Sequence, residues 1–140
     1  MPLNSEEIKN ISRDLWKART DKAPITNPSE IYPEITVKDA YLLQNELLSV
    51  ALSNGEIIAG GKIGLSSKAN QKKFGIDTPI YGHLFASMIL PEDEPVDTSK
   101  MFSPVVEPEI CFLLGEELKG PGVNIASVLS ATRGVLPAIE

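Results

Sequence analysis

Apolar and polar residues alternate with helical spacing near the start of the chain. Four apolar positions recur three or four residues apart: Ile8, Ile11, Leu15 and Ala18. This spacing places them on one face of a helix and predicts a first amphipathic helix running to about Arg19. Asn4 followed three residues later by Glu7 is typical of a capping box, in which each side chain binds the other residue's backbone N–H. We therefore expect the helix to begin at Asn4 or Ser5.

A second helical pattern begins after a segment rich in proline. Residues 21–35 contain three prolines and several turn-forming residues, which predicts a loop. Thr36 then has the chemistry of an N-cap, with Asp39 at the third helical position. An apolar face follows, and Asn54-Gly55 has the composition of a helix C-terminus.

The remainder of the chain consists of short apolar runs separated by turn residues, which indicates strands. We predict strands over Ile57–Leu65, Val105–Leu114 and Val135–Glu140, and a strand or extended arm over Leu84–Leu90. Short helices are expected from Ser66-Ser67 to Lys73 and from Asn124 to Gly134. The predicted class is α+β, with an N-terminal helical region over residues 1–56 and a β-rich region over residues 57–140.

Two carboxylates lie two residues apart within the apolar run 105–114. Side chains alternate between the faces of a strand, so Glu107, Glu109 and Cys111 would share one face. Burying charge without a partner is costly, and a bound divalent cation is one way to offset that cost. A strand whose carboxylates face water is the alternative, because half-exposed strands are common.

Composition limits the partners and the metal sites that the chain can have. A formal charge of −6 argues against nucleic acid or an anionic membrane surface as partner. No apolar run is long enough to span a bilayer, and we expect no secretory signal. One cysteine fits a reducing cytoplasm and is expected to be a buried, inert thiol. With one cysteine and one histidine, a zinc site of nitrogen and sulfur ligands is excluded, and oxygen ligands favour Mg²⁺ or Mn²⁺.

Lys62 is the candidate for a positively charged side chain in a binding site. It lies in the strand pattern among glycines 60, 61 and 64. Glycines in a strand often indicate the close approach of another backbone or of a ligand. Lys62 is therefore either a solvated surface residue or a positive charge directed at an anionic substrate.

An ordered set of motifs resembles a known family. The set comprises Tyr32-Pro33-Glu34-Ile35-Thr36, Asp39-Ala40-Tyr41 with Gln44, Gly61-Lys62-Ile63-Gly64-Leu65-Ser66-Ser67, Asp77-Thr78-Pro79-Ile80-Tyr81-Gly82, Glu107-Pro108-Glu109-Ile110, Gly120-Pro121-Gly122-Val123 and Leu136-Pro137-Ala138-Ile139-Glu140. Together these motifs resemble the 2-keto-4-pentenoate hydratase and 4-oxalocrotonate decarboxylase family of catechol meta-cleavage pathways, within the fumarylacetoacetate hydrolase-like superfamily. The resemblance covers nearly all of the 140 residues.

The resemblance implies a mixed, β-rich fumarylacetoacetate hydrolase-like fold with helices packed on its first part. It also implies a Mg²⁺ or Mn²⁺ site held by Glu107, Glu109 and Glu140, although Pro108 departs from the small residue that the family usually has there. Family members continue well past Glu140, so the chain is expected to be a truncated N-terminal half. Lys62 is implied as the catalytic residue, and the residues implied to line the substrate are Ser66, Ser67 and Ile80.

The family implies a lyase acting on a small 2-oxo-enoate or 2-hydroxydienoate acid. Hydratases typically carry Asp where this chain has Ile80, which favours 4-oxalocrotonate decarboxylase. Gly82-His83-Leu84-Phe85 and Ser67-Lys68-Ala69 with Gln71 resemble the hydratases instead. A third possibility is a non-catalytic fragment or interaction subunit. By analogy, a cytoplasmic homo-oligomer is expected, with a possible complex with the partner pathway enzyme.

Overall fold

A computed structural model of the chain describes residues 3–101 and 103–140. These residues form two compact units that divide between residues 102 and 103. Each unit is described by itself. The boundary predicted at residues 56 and 57 lies inside the first unit and stays a prediction about the complete fold.

The first unit contains three helices before its first strand: α1 over Ser5–Asp21, α2 over Pro28–Ile31 and α3 over Val37–Ser53. The predicted capping box between Asn4 and Glu7 is present, and Thr36 is the N-cap of α3 as predicted, where it forms a second capping box with Asp39. The prediction of a loop throughout residues 21–35 was wrong at α2. Proline fits the first position of a helix because the N–H that it lacks has no intrahelical partner there.

Helices α1 and α3 pack together and contribute most of the buried residues of the first unit. Ile11 and Leu43 are buried at this contact, and Ala51 is fully buried. The buried hydroxyl of Ser12 donates a hydrogen bond of 3.1 Å to the backbone oxygen of Leu43. This bond satisfies a polar group that would be costly to bury alone.

An antiparallel hairpin completes the first unit. Strand β1 covers Ile58–Gly64 and pairs with β2 over Ile80–Phe85, and helix α4 lies between them over Lys68–Lys73. The strand predicted over residues 84–90 was placed too late. Pairing with β1 fixes β2 at Ile80, which lies opposite Gly64, and the chain turns into a short 3₁₀ segment at Ala86–Met88. A second 3₁₀ segment covers Thr98–Lys100.

The second unit is a strand–helix–strand motif. Strand β3 covers Pro108–Leu114, helix α5 covers Ile125–Ala131 and strand β4 covers Thr132–Ile139. The two strands are antiparallel. The predicted end of the helix at Gly134 was wrong, because the extended conformation begins at Thr132 and Gly134 pairs with Leu113 inside the strand.

Helices and small antiparallel sheets together confirm the α+β class. Both sheets of the described residues have two strands, so the mixed sheet of the predicted superfamily fold stays a prediction. Among the described residues, the helices are too short or too polar to cross a membrane.

Candidate metal centre

The last rung of the β3–β4 pair brings two glutamates face to face. The backbone N–H of Glu107 donates to the oxygen of Glu140 at 2.7 Å, and the N–H of Glu140 donates to the oxygen of Glu107 at 2.8 Å. Residues that exchange both bonds lie directly opposite each other in an antiparallel ladder, and their side chains point to the same face. The pairing therefore places these two carboxylates side by side, although 33 positions separate them in the sequence.

Glu109 completes the cluster because it follows Glu107 by two residues and shares its face. Its partner in the ladder is Ala138. The small side chain of Ala138 leaves space between Glu109 and Glu140, which lie diagonally across the two strands. One carboxylate oxygen from each glutamate lies within 4.8 Å of those of the other two.

This donor set fits a hard divalent cation. All three ligands are carboxylate oxygens, which Mg²⁺ and Mn²⁺ prefer. Opposite ligands of an octahedral Mg²⁺ are about 4.2 Å apart, twice the usual Mg–O distance of about 2.1 Å. The three carboxylate oxygens lie no more than 4.8 Å apart, which is about the separation that one cation spans, and the three side chains are exposed. Three ligands also leave coordination positions for a small molecule and water.

The prediction that Cys111 is buried was wrong. Its thiol is exposed, and so is every residue of β3. The sheet has two strands, and the apolar residues of β3 are exposed on both of its faces. Cys111 shares the face of the glutamates and lies opposite Leu136.

Lys62 lies in the other unit, on β1 opposite Gly82, and is half-buried. Of the glycines near Lys62, only Gly64 lies tightly against a neighbour. A Cβ there would lie 3.1 Å from Cγ1 of the Ile80 side chain, whereas a Cβ at Gly61 would make an ordinary contact of 3.5 Å with the backbone oxygen of Gly82 and one at Gly60 would have no atom within 4 Å. The close approach within the hairpin is therefore to a side chain, at Gly64.

The predicted substrate-binding residues follow Lys62 in the same unit. The Ser67 hydroxyl caps α4 by accepting a bond of 3.2 Å from the N–H of Asn70, and Ser66 is exposed. Ile80 begins β2 and is 43% exposed. The structure thus brings together the three predicted metal ligands in one unit and the four other predicted site residues in the hairpin and turn of the other.

One polar residue of α4 is buried although its neighbours in the sequence are polar or charged. Gln71 is only 2% exposed. Its amide nitrogen donates to the backbone oxygen of Leu65 at 2.8 Å, and its oxygen accepts from Lys68 at 2.9 Å. The available signal was the three-residue spacing of Lys68 and Gln71, which makes them neighbours on a helix.

The bond to Leu65 stabilises an unusual turn. Leu65 has a φ of 52°, in the left-handed region that residues other than glycine rarely adopt. Gln71 fixes the carbonyl of this residue between β1 and the two serines. The segment from Lys62 to Ser67 is therefore held by a buried side chain rather than by the sequence of the turn alone.

Known proteins are similar to the chain over nearly its whole length. No protein-family model matches the chain. It is 36% identical over 138 residues to the 4-oxalocrotonate decarboxylase of Pseudomonas sp. (strain CF600), which covers 99% of the chain and 52% of that protein. It is 36% identical over 134 residues to a 2-hydroxypent-2,4-dienoate hydratase of Pseudomonas putida, covering 95% of the chain and 60% of the relative.

This chain is a relative of the 4-oxalocrotonate decarboxylases and 2-keto-4-pentenoate hydratases. It spans about half the length of the curated relatives it matches. A solved structure of the 4-oxalocrotonate decarboxylase from Pseudomonas putida G7, complexed with magnesium and adipate, superimposes with a TM-score of 0.92 at 33% identity. That match covers 99% of this chain and 52% of the decarboxylase. The same enzyme has also been solved with calcium and acetate.

Proposed function

We propose that this chain belongs to a divalent-metal-dependent lyase of aromatic meta-cleavage catabolism, with 4-oxalocrotonate decarboxylase as the first candidate. The observation that carries the proposal is the cluster of Glu107, Glu109 and Glu140 on one face of the β3–β4 pair. The magnesium in the related decarboxylase structure supports the same class of cation. The proposed fold of the complete protein is fumarylacetoacetate hydrolase-like.

In this proposal the three glutamates hold Mg²⁺ or Mn²⁺. When bound, the cation supplies a Lewis acid that polarises the carboxylate and 2-oxo groups of a 2-oxo acid. By holding the cation, the glutamates would also orient the carboxylate and 2-oxo end of the substrate. Their exposure leaves this face open to a small molecule.

Lys62 is the proposed catalytic residue. When 4-oxalocrotonate loses CO₂, the bonding electron pair stays on the remaining carbon skeleton, and negative charge extends to the 2-oxygen. An ammonium group stabilises such charge or delivers a proton to it. The residues proposed to line the substrate are Ser66, Ser67 and Ile80.

Ile80 favours decarboxylation over hydration. Hydration requires a group that orients or deprotonates water, and an isoleucine side chain has no polar atom for that purpose. The second candidate, a 2-hydroxypenta-2,4-dienoate hydratase, is favoured by the hydratase-like residues Gly82-His83-Leu84-Phe85. The relatives include both activities at similar identity, so the substrate must be decided by experiment.

A product assay tests the proposal. The chain is incubated with Mg²⁺ and either 4-oxalocrotonate or 2-hydroxypenta-2,4-dienoate, and CO₂ release and water addition are measured separately. We expect CO₂ release that falls by at least about 100-fold in Lys62→Met and Glu109→Gln. Glu117→Gln, an exposed glutamate beyond the other end of β3, is the matched control and should retain activity. Water addition without CO₂ release would favour the hydratase.

The chain spans about half the length of its relatives, so the assay has a third possible outcome. Self-association without metal binding or turnover would indicate a non-catalytic interaction subunit. We propose that the complete protein is a homo-oligomer, and possibly also binds the partner pathway enzyme. Exposed apolar residues of the second unit, such as Ile110 and Ile139 at 68% and 78% exposure, support burial in an assembly. Light scattering after size-exclusion chromatography measures the molar mass and therefore the oligomeric state.

A further inference from the structure

A groove in the first unit has a lining that the proposed reaction does not explain. It has a volume of about 760 Å³ and lies between the start of α3 and the segment from α4 to the start of β2. This volume is within the range of about 300–1,000 Å³ that is typical of small-molecule sites. Tyr41, Ile76 and Ile80 form an apolar wall, and the charged lining residues are Lys68, Lys72 and Asp77.

The ammonium group of Lys68 is held in place at this groove. Its Nζ donates to the side-chain oxygen of Gln71 at 2.9 Å and to the backbone oxygen of Asp77 at 3.0 Å. Gln71 is itself buried and anchored to the carbonyl of Leu65. An ammonium has three donors, so these two bonds fix the direction of the third. Lys68 is exposed, but these two bonds restrict its side chain, so less conformational entropy remains to be lost when it binds a ligand.

The charges of the lining favour an anion. Two lysines and one aspartate give the groove a formal charge of +1, although the whole chain carries −6. The two oxygens that accept hydrogen bonds from the Lys68 ammonium, one from the Gln71 side chain and one from the Asp77 backbone, are both neutral. They therefore do not compensate its positive charge. The apolar wall then distinguishes between anions, because a hydrocarbon tail gains free energy from contact with Tyr41, Ile76 and Ile80 and a bare phosphate does not.

We propose that this groove binds a small carboxylate with a hydrocarbon tail. The carboxylate accepts the third hydrogen bond of Lys68, and the tail lies against the apolar wall. Ile80 is the one residue that the groove shares with the proposed substrate-binding residues. The proposal does not depend on the metal centre or on the reaction, because all its contacts lie within the first unit.

Binding is tested by nuclear magnetic resonance on the ¹⁵N-labelled 140-residue chain without added metal. The probes are pentanoate, the neutral isostere pentanamide, and inorganic phosphate. Pentanoate should shift the amide signals of Gln71, Asp77 and Ile80 in a saturable manner, with an affinity at least about tenfold above that of pentanamide. Equal affinities for these two probes would overturn the carboxylate assignment. Phosphate binding as tightly as pentanoate would overturn the role of the apolar wall.

Variants assign the effect to Lys68. Lys68→Met should weaken pentanoate binding by about tenfold or more, since a hydrogen bond to a charged group is lost. Lys68→Arg keeps the charge and should restore most of the affinity. Lys9→Met, on the exposed face of α1, removes the same net charge elsewhere and should leave binding unchanged. A similar loss in Lys9→Met and Lys68→Met would mean that only the net charge of the chain matters, and the site would be rejected.

Because the titration contains no metal, its outcome is separate from that of the lyase proposal. Saturable pentanoate binding with an inactive chain would retain the groove and reject the reaction. CO₂ release without pentanoate binding would do the reverse. Backbone signals of α3 compared between the wild-type and the Lys68→Met chain verify that the variant is folded.

Discussion

At the scale of single residues, the main feature is three carboxylates within 4.8 Å of one another. Like charges at such distances repel each other, and a divalent cation converts this repulsion into attraction. The arrangement depends on a residue pair, Glu107 and Glu140, whose backbones exchange two hydrogen bonds. Metal affinity should therefore respond to the loss of one charge even when the shape of the side chain is kept.

Glu107→Gln keeps that shape and removes one anionic ligand. We expect the affinity of the chain for Mg²⁺ and Mn²⁺, measured by isothermal titration calorimetry, to fall by at least about tenfold, because a neutral amide is a weaker ligand for a hard cation. Glu117→Gln is the control with the same change of charge and should bind as the wild type does. Equal affinities of all three chains would show that the cluster is not the metal site.

At the scale of elements, much of the chain was predictable because local chemistry determines it. The capping residues Asn4 and Thr36 fixed the starts of α1 and α3 within one residue. Two features could not be predicted from local sequence, and each has a physical cause. The start of β2 depends on pairing with Gly64 of β1, and the neighbourhood of Glu140 depends on pairing with Glu107. Local alternation could indicate the pair of glutamates in β3, but the third carboxylate came from the family resemblance.

The N-terminus of α3 should make stability depend on pH. The hydroxyl and backbone N–H of Thr36 donate to the Asp39 carboxylate at 2.6 and 3.0 Å, and these bonds lower its pKa. Since the folded-state pKa lies below the unfolded value of about 3.9, this stabilisation is fully present above about pH 4. It is lost as the pH falls through the lowered pKa.

The measurement is urea unfolding of α1 and α3, followed by far-ultraviolet circular dichroism, for the wild type and Asp39→Asn. The difference in unfolding free energy should favour the wild type at neutral pH and shrink as Asp39 becomes protonated. Asp14→Asn, on the exposed face of α1, is the control with the same change of charge. A difference that is the same at about pH 2 and pH 7 would contradict the assigned cause.

The two-stranded β3–β4 sheet makes a further element-scale prediction. Cys111 is exposed on it, so a thiol reagent such as 5,5′-dithiobis(2-nitrobenzoic acid) should modify the folded chain at a rate similar to that in urea. Exposure controls access to the thiolate, which is the reactive form. Strong protection in the folded chain would mean that another surface, such as a second copy, covers this face. If a second copy covers this face, the protection should increase with the concentration of the chain, so the reaction is repeated over a range of concentrations.

At the scale of the whole molecule, the chain consists of two units, and all three proposed metal ligands belong to the second. A ligand that binds only the folded form stabilises the unit that holds its site, by an amount that increases with the ratio of ligand concentration to Kd. Metal binding is therefore a direct measure of whether the two units open separately. The chain spans about half the length of the decarboxylases that it matches, so metal binding and activity are measured separately.

We expect Mg²⁺ at about 100 times its Kd to slow amide hydrogen exchange in β3 and β4 by about 100-fold, provided that exchange there requires opening of the sheet. Amides of α1 and α3 should change little, because no described residue of those helices belongs to the cluster. Glu107→Gln should reduce the protection to about tenfold or less at the same Mg²⁺ concentration, because its affinity is at least about tenfold weaker. Equal protection of both units would contradict separate opening and show that they unfold cooperatively, whereas protection of neither would reject the metal centre.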